Sequence, residues 1–368
     1  MEVAYFLFEV PTGIVADLYS RRTSIVIGVV GLGFGFVWTG LAGGAAGVLA
    51  AAALTGFAWT FKSGAADAWL ADEVGLEALA GSYQRGAQAA RVGALLGIGA
   101  AVGLALIDLR LPIVAGGILF VVLGLALALV MPERGFAPAE REGLGAVRSM
   151  GRTAAAGARL IRARPLLLLM VGIAFFGGMW SEGLDRLWEA HFLVSVGVPG
   201  LAGLDSVVWF GVLAAGSLVL AIAVAKPLVK RLEALGPQGT VRILFALDVA
   251  MIVGTVGFAL AGSFMLAVGA FWATRVARSI AGPVYATWLN SNVDDSSVRA
   301  TVLSMTNLGD SAGEWGGGPV IGALGNAFGI RTALAASAAA LVPALVLYGR
   351  AGRHDGREPE LSASPQIV

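Results

Sequence analysis

The chain has 368 residues, of which 57% are hydrophobic and only 13% charged, with a mean hydropathy of +0.82. A soluble domain carries about 25% charged residues, so a water-facing surface cannot be built from this composition and lipid is the expected solvent. A net charge of +1 excludes bulk attraction to nucleic acid, and the absence of cysteine excludes disulfides, thiol catalysis and cysteine metal sites.

The two histidines, His191 and His354, are far apart and form no ligand pair, so no metal and no cofactor is expected. The 53 glycines sit mostly inside apolar runs, as packing between membrane helices requires.

A spanning helix needs about 20 mostly apolar residues, and about eleven segments qualify. The first five are 4–18, 23–41, 47–71, 86–107 and 111–131. Glu9, in the first, is isolated and is open to a structural or a functional reading. The third carries Lys62 and Asp67. Lys62 is too deep to reach the interface and is expected to face a cavity of the first half. Asp67 lies nearer the helix end and can pair with Arg91 of the next segment.

The stretch 132–164 interrupts the apolar pattern and is rich in arginine, from Arg134 and Arg141 to Arg162 and Arg164. It divides an N-terminal bundle, 1–131, from a C-terminal bundle, 165–350. A polar tail, 351–368, follows and is expected to be disordered.

The second half holds segments 165–193, 204–228, 240–261, 263–289, 301–328 and 332–348. In the first of these, Glu182, Asp185, Arg186 and Glu189 follow i, i+3, i+4, i+7 spacing and share one helix face. Glu182 and Arg186 can pair, leaving an acidic excess. Asp248 is isolated in 240–261 and, like Glu9, can be read either way. Arg275 and Arg278 share a face in 263–289. Asp310 and Glu314, at i, i+4 in 301–328, are like charges that repel unless one is protonated or countered. They are proton-carrier candidates, or partners of arginines in the second half.

An ionisable group at the centre of a spanning helix costs at least about 2.5–3.5 kcal/mol, so such groups face a cavity or a partner. Glu182, Asp185 and Arg275 are read as cavity groups, and Glu189 and His191 as structural groups near the outer surface. Trp180 and Trp272 share helices with the charged faces and are placed with the cavity. Trp188, Trp209 and Trp315 fit the aromatic belt at a membrane interface.

Alternate loops carry the lysines and arginines: Arg21 and Arg22, then Arg85, the linker, then Lys226, Lys230, Arg231 and Arg242, then Arg299. The opposite loops hold only Arg110 and Arg331. By the positive-inside rule the first set, and the C-terminus with it, is cytoplasmic. The Trp69-Leu70 and Trp288-Leu289 pairs each leave an apolar segment into a polar loop at matching places, a weak sign of internal duplication.

The run Gly13-Ile14-Val15-Ala16-Asp17-Leu18-Tyr19-Ser20-Arg21-Arg22 resembles the loop signature of the major facilitator superfamily. It keeps the glycine, the small-Asp pair and the basic pair, and departs from the pattern at Leu18 and Ser20. Lys226-Pro227-Leu228-Val229-Lys230-Arg231 is a degenerate counterpart in the second half. In the family this signature lies between the second and third helices, so the resemblance implies one family helix ahead of Met1. It also implies a fold of two pseudo-symmetric helical bundles.

The resemblance further implies that Gly13, Asp17, Arg21 and Arg22 form a conformational latch. Asp17 would meet the helix N-terminus near Thr301, where an anion gains about 0.3–1 kcal/mol. The arginines are equally well read as orienting charges. In the family the segments 165–193 and 263–289 line a central cavity.

The resulting expectation is a monomeric secondary transporter in the plasma membrane, not an enzyme. It would move a small organic molecule by alternating access, as a proton-coupled exporter. The cavity set is Lys62, Asp67, Trp180, Glu182, Asp185, Arg186, Trp272, Arg275, Arg278, Asp310 and Glu314. The alternatives are an uptake carrier and a non-transporting, sensor-like relative.

Overall fold

The computed structural model describes residues 8, 11–13, 15, 16, 19–136, 159, 161–200, 206–232, 236–292 and 296–355. Among the described residues the regular structure is entirely helical. Two compact units divide the chain at Gly151 and Arg152.

The first unit contains α1 (Arg21–Leu41), α2 (Ala45–Ala105) and α3 (Leu111–Val130). Helix α1 starts at Ser20, whose hydroxyl accepts from the Thr23 amide at 2.9 Å. It is the wedge of this unit, with glycines on two faces. Side chains at Gly28, Gly31 and Gly35 would strike α2 at Ala58, Lys62 and Thr55. Side chains at Gly33 and Gly40 would strike α3 at Gly117 and Val114. Small residues on both faces let three backbones approach at once.

The expected polar loop after Trp69-Leu70 is instead helical. Helix α2 runs through it and breaks only at Gly75, where φ is 74° and ψ is 162°. Glycine reaches this left-handed φ without steric cost, and the neighbouring Leu76, Glu77, Leu79 and Ala80 are strong helix formers. The break divides α2 into two apolar stretches, Ala45–Gly75 and Gly81–Ala105, and none of the residues in the second is buried.

The second unit contains α4 (Pro165–Ala190), α5 (Ser206–Leu232), α6 (Gly236–Leu260), α7 (Phe264–Ser291), α8 (Ser296–Phe328), α9 (Ile330–Ala340) and α10 (Val342–Asp355). A π-helical turn, His191–Val196, extends α4 to Gly197, where φ is 81°. Leu341 interrupts one apolar span to give α9 and α10. Pro343, two residues on, explains the interruption, because it cannot donate to a preceding carbonyl.

Helix α8 lies on α4 along one stripe. Gly309, Gly313 and Gly317 recur every four residues and face Val171, Phe175 and Met179, which recur at the same interval. A Cβ at Gly313 would overlap the Phe175 carbonyl oxygen, and one at Gly317 would stand 3.0 Å from Met179 Cα. Gly178 of α4 meets the Asp310 carbonyl in the same way. The aromatic core of this unit joins Trp188, stacked on Phe271 at 4.9 Å between centroids, to Phe192 and Phe258.

Among the described residues, eight helical stretches are long and apolar enough to cross a membrane. Helices α7 and α8, with 28 and 33 residues, have the expected length but fall outside this set. The expected span 4–18 falls largely outside the described residues.

Candidate functional site

The charged residues of the first unit concentrate where its helices end. Arg21 pairs with Asp72 and donates to the Ala68 carbonyl at 3.2 Å. Arg22 donates from its side chain to the Ala128 carbonyl, and from its backbone N–H to Glu133 Oε1 at 2.9 Å. The Ser20 hydroxyl donates to Glu133 Oε2 at 2.8 Å. Glu133 therefore serves the positive end of α1 from the far end of α3. Glu73 accepts from the backbone of Arg134 and Gly135, and Trp69 Nε1 donates to the Pro132 carbonyl at 2.7 Å. Of the expected latch, Arg21 and Arg22 are thus bound to α2 and α3 of their own unit, Gly13 is half-buried, and Asp17 lies outside the described residues.

Lys62 is half-buried with its ammonium 4.5 Å from the Trp59 ring centroid, a cation–π contact on one helix face. Asp67 accepts from the Tyr83 hydroxyl at 3.0 Å and makes no ion pair with Arg91, which corrects the expected pairing. Tyr83 reaches Asp67 because α2 changes direction at Gly75.

In the second unit α4 and α7 bring their charged faces together. Arg278 Nη1 donates to both oxygens of Asp185, at 2.8 and 2.7 Å, and Arg275 Nη1 donates to Asp185 Oδ1 at 3.1 Å. One carboxylate holds two guanidiniums, and all three side chains are more than a third exposed. Arg278 also lies over Trp180, and Arg275 over Phe271. Glu182 and Arg186 pair on α4 at 3.1 Å.

A cavity of about 300 Å³ adjoins this cluster within the second unit. Its walls include Trp180 and Ser181 of α4, Asp248 of α6, Arg278 and Tyr285 of α7, Thr306 and Asp310 of α8, and Tyr348 of α10. Trp180 is fixed by its Nε1 donating to Thr255 Oγ1 at 3.0 Å, and Tyr285 by its hydroxyl donating to the Met170 carbonyl at 2.7 Å. Asp310 is solvent-accessible, whereas Asp248 is only 4% exposed.

Asp185, Arg275, Arg278, Trp180 and Asp310 thus belong to one locality. Trp272 does not share it: its Nε1 donates to the Leu213 carbonyl at 3.0 Å, and the ring lines a separate apolar groove with Leu220 and Val224. Its indole joins α7 to α5. Glu314 is half-buried on the same helix as Asp310, and Glu182 lies 3.5 Å from where a Gly318 side chain would begin. His191 is fully buried, with Nε2 2.9 Å from the Phe258 carbonyl.

Reading by sequence missed Asp248, Tyr285 and Tyr348 as members of this cavity. A lone acid in the apolar helix α6 was a signal, but the residues that share its cavity lie on four other helices. Among the described residues no cluster of acidic, histidine or cysteine side chains is able to hold a metal.

No protein-family model matches the chain, and no curated protein sequence does. Solved structures do. A bacterial homologue of the human lysosomal transporter Spinster, in an inward-facing and unoccupied conformation, aligns with a TM-score of 0.69 at 18% identity, over 95% of this chain and 86% of that one. The peptide transporter POT in complex with sulfate aligns with a TM-score of 0.69 at 17% identity, over 95% and 85%. The human organic anion transporter MFSD10 aligns with a TM-score of 0.58 at 14% identity, over 94% and 81%. All three are transporters, not enzymes. The chain has the fold of the major facilitator transporters, an all-helical fold of multi-pass membrane proteins.

Proposed function

We propose that this chain is a secondary active transporter that carries a small organic molecule across a membrane by alternating access. The observation that supports it best is Asp185 held by Arg275 and Arg278 beside a cavity, inside a helical unit whose fold is that of transporters. Charges within spanning helices are costly and are kept where they face a substrate path or a coupling ion. The aligned structures cover nearly the whole chain, which extends the likeness to both units.

The finer reading is a proton-coupled exporter of the plasma membrane, acting as a monomer with its C-terminus cytoplasmic. Arginine-rich alternate loops support the orientation. Asp310 and Glu314 support proton coupling, as two acids one helical turn apart. Asp17 is proposed as the group that biases one of the two access states.

Proteoliposomes loaded with a pH-sensitive dye test this function. They are challenged from either side with a panel of organic cations, zwitterions and anions, under an imposed pH gradient. The expected result is compound-dependent proton movement that Asp185→Asn reduces at least about tenfold, the loss of roughly one strong polar contact. Flux equal to that of empty liposomes for every compound, in both gradient directions, would remove the transporter reading.

A further inference from the structure

The cavity in the second unit carries a charge that its own residues do not balance. Asp248, Asp310 and Arg278 line it, and Arg278 shares Asp185 with Arg275, which makes five described ionisable side chains other than tyrosine in its lining and the attached ion-pair network. Both guanidiniums are engaged by Asp185. Glu182 and Arg186, close by on α4, neutralise one another. One negative charge remains in excess when the carboxylates are ionised.

That excess is concentrated at Asp248. Its side chain is more than nine-tenths buried and lines the cavity, and it makes no hydrogen bond or ion pair among the described residues. Asp310 lines the accessible side of the same space, and both acids are within electrostatic reach of Tyr285. A carboxylate so largely buried, with no protein partner among the described residues and open only to the cavity, is costly to keep charged, and a cation placed against it removes that cost.

The remaining walls suit an organic cation better than a bare ion. Trp180, Tyr285 and Tyr348 present aromatic surface, and Ile173, Met251 and Leu341 present aliphatic surface. Aromatic faces attract a cation and accept an apolar body. About 300 Å³ lies at the lower end of small-molecule sites. A metal ion would need several oxygen ligands converging on one point, and no such group occurs among the described residues.

We propose that this cavity is a binding site for a small organic ammonium ion, with Asp248 as its counter-ion and Trp180, Tyr285 and Tyr348 as its walls. This names the substrate class of the transporter proposed above and rests on that reading only for the step from binding to translocation.

The test is calorimetric titration of the full chain in detergent micelles at pH 7 with three compounds of one shape: 2-phenylethylamine, 2-phenylethanol and phenylacetate. The amine, cationic at this pH, is expected to bind at least about tenfold more tightly than the alcohol or the anion, since a charge-assisted contact is worth roughly 10- to 100-fold. Asp248→Asn is expected to abolish that preference, and Asp310→Asn to reduce it.

An alcohol or anion that binds as tightly as the amine overturns the proposal. So does the absence of amine binding, or a preference that survives Asp248→Asn. The comparison of three compounds on the unaltered protein holds even where a variant fails to fold. Amine binding without flux in proteoliposomes would count against the transporter and leave the site standing. Flux of other compounds without amine binding would do the reverse.

Discussion

Arg278 grips Asp185 through both carboxylate oxygens, at 2.8 and 2.7 Å, and this contact joins the first helix of the second unit to its fourth. Arg275, three residues earlier on α7, shares the same acceptor at 3.1 Å. Asp185→Ala leaves two guanidiniums facing one another, while Arg278→Ala leaves Arg275 still paired. A double-mutant cycle on Asp185 and Arg278 is expected to give a coupling of about 0.5–3 kcal/mol, as residues in one ion-pair network do. Thermal unfolding in detergent measures it. A coupling near zero would mean that the pair is a solvated surface contact, as its exposure allows.

The glycine stripe on α8 allows a sharp comparison. Gly313→Val places side-chain atoms where the Phe175 carbonyl stands, so α4 and α8 must separate. Overpacking of this kind costs about 1–3 kcal/mol or more. Gly316 lies three residues on with nothing within 4 Å of its missing Cβ. Gly316→Ala is expected to be neutral or to stabilise by about 0.5–1 kcal/mol, because alanine is the better helix former. Melting temperatures of the two variants, measured side by side, check both expectations. Equal losses would show that glycine serves helix flexibility rather than close packing.

Gly75 is a case where space is free and conformation is not. No atom lies within 4 Å of a Cβ built there, yet φ is +74°. Gly75→Ala is therefore expected to destabilise by about 1–3 kcal/mol, the cost of a positive-φ extended conformation that is essentially confined to glycine. Gly75→Asn should lose about as much, because ψ at 162° lies outside the left-handed helical region that asparagine tolerates. A stabilised Gly75→Ala variant would indicate that α2 straightens there at no cost.

Glu133 accepts from Ser20 and from the backbone of Arg22, at the N-terminus of α1. Glu133→Gln keeps the shape but removes the charge at the helix end. A loss of about 0.3–1 kcal/mol is expected, and it should shrink in high salt. Denaturation at low and high ionic strength tests this. A loss that does not depend on salt would assign Glu133 a purely hydrogen-bonding role.

Asp17→Asn is expected to slow transport while leaving the melting temperature nearly unchanged, since the exchange keeps the side chain's size and removes only its charge. Parallel flux and melting measurements decide this. Unchanged flux would remove the latch.

Much of the architecture was legible from composition and period. Lipid cannot satisfy backbone polar groups, so a chain this apolar must be helical wherever it spans. The lengths of the apolar runs follow from bilayer thickness. The i, i+4 pairing of Glu182 with Arg186 was likewise local, because both sit on one helix. The helical course of 72–85 was not legible, since polar residues suit an exposed helix as well as a loop and only the backbone at Gly75 marks the turn.

Sequence by itself therefore determined the helical class, most of the spans and which intramembrane charges required an explanation. Tertiary structure alone decided which of them meet. Asp185 found Arg275 and Arg278 some 90 and 93 positions along the chain, and Trp272 turned to the α5 backbone. Asp248, isolated in sequence, lines a cavity that five other stretches of the unit help to form. The physical reason is that helix register in a bundle is set by close packing of small residues, such as Gly309, Gly313 and Gly317 against α4, and one helix does not encode the side chains its neighbours will present.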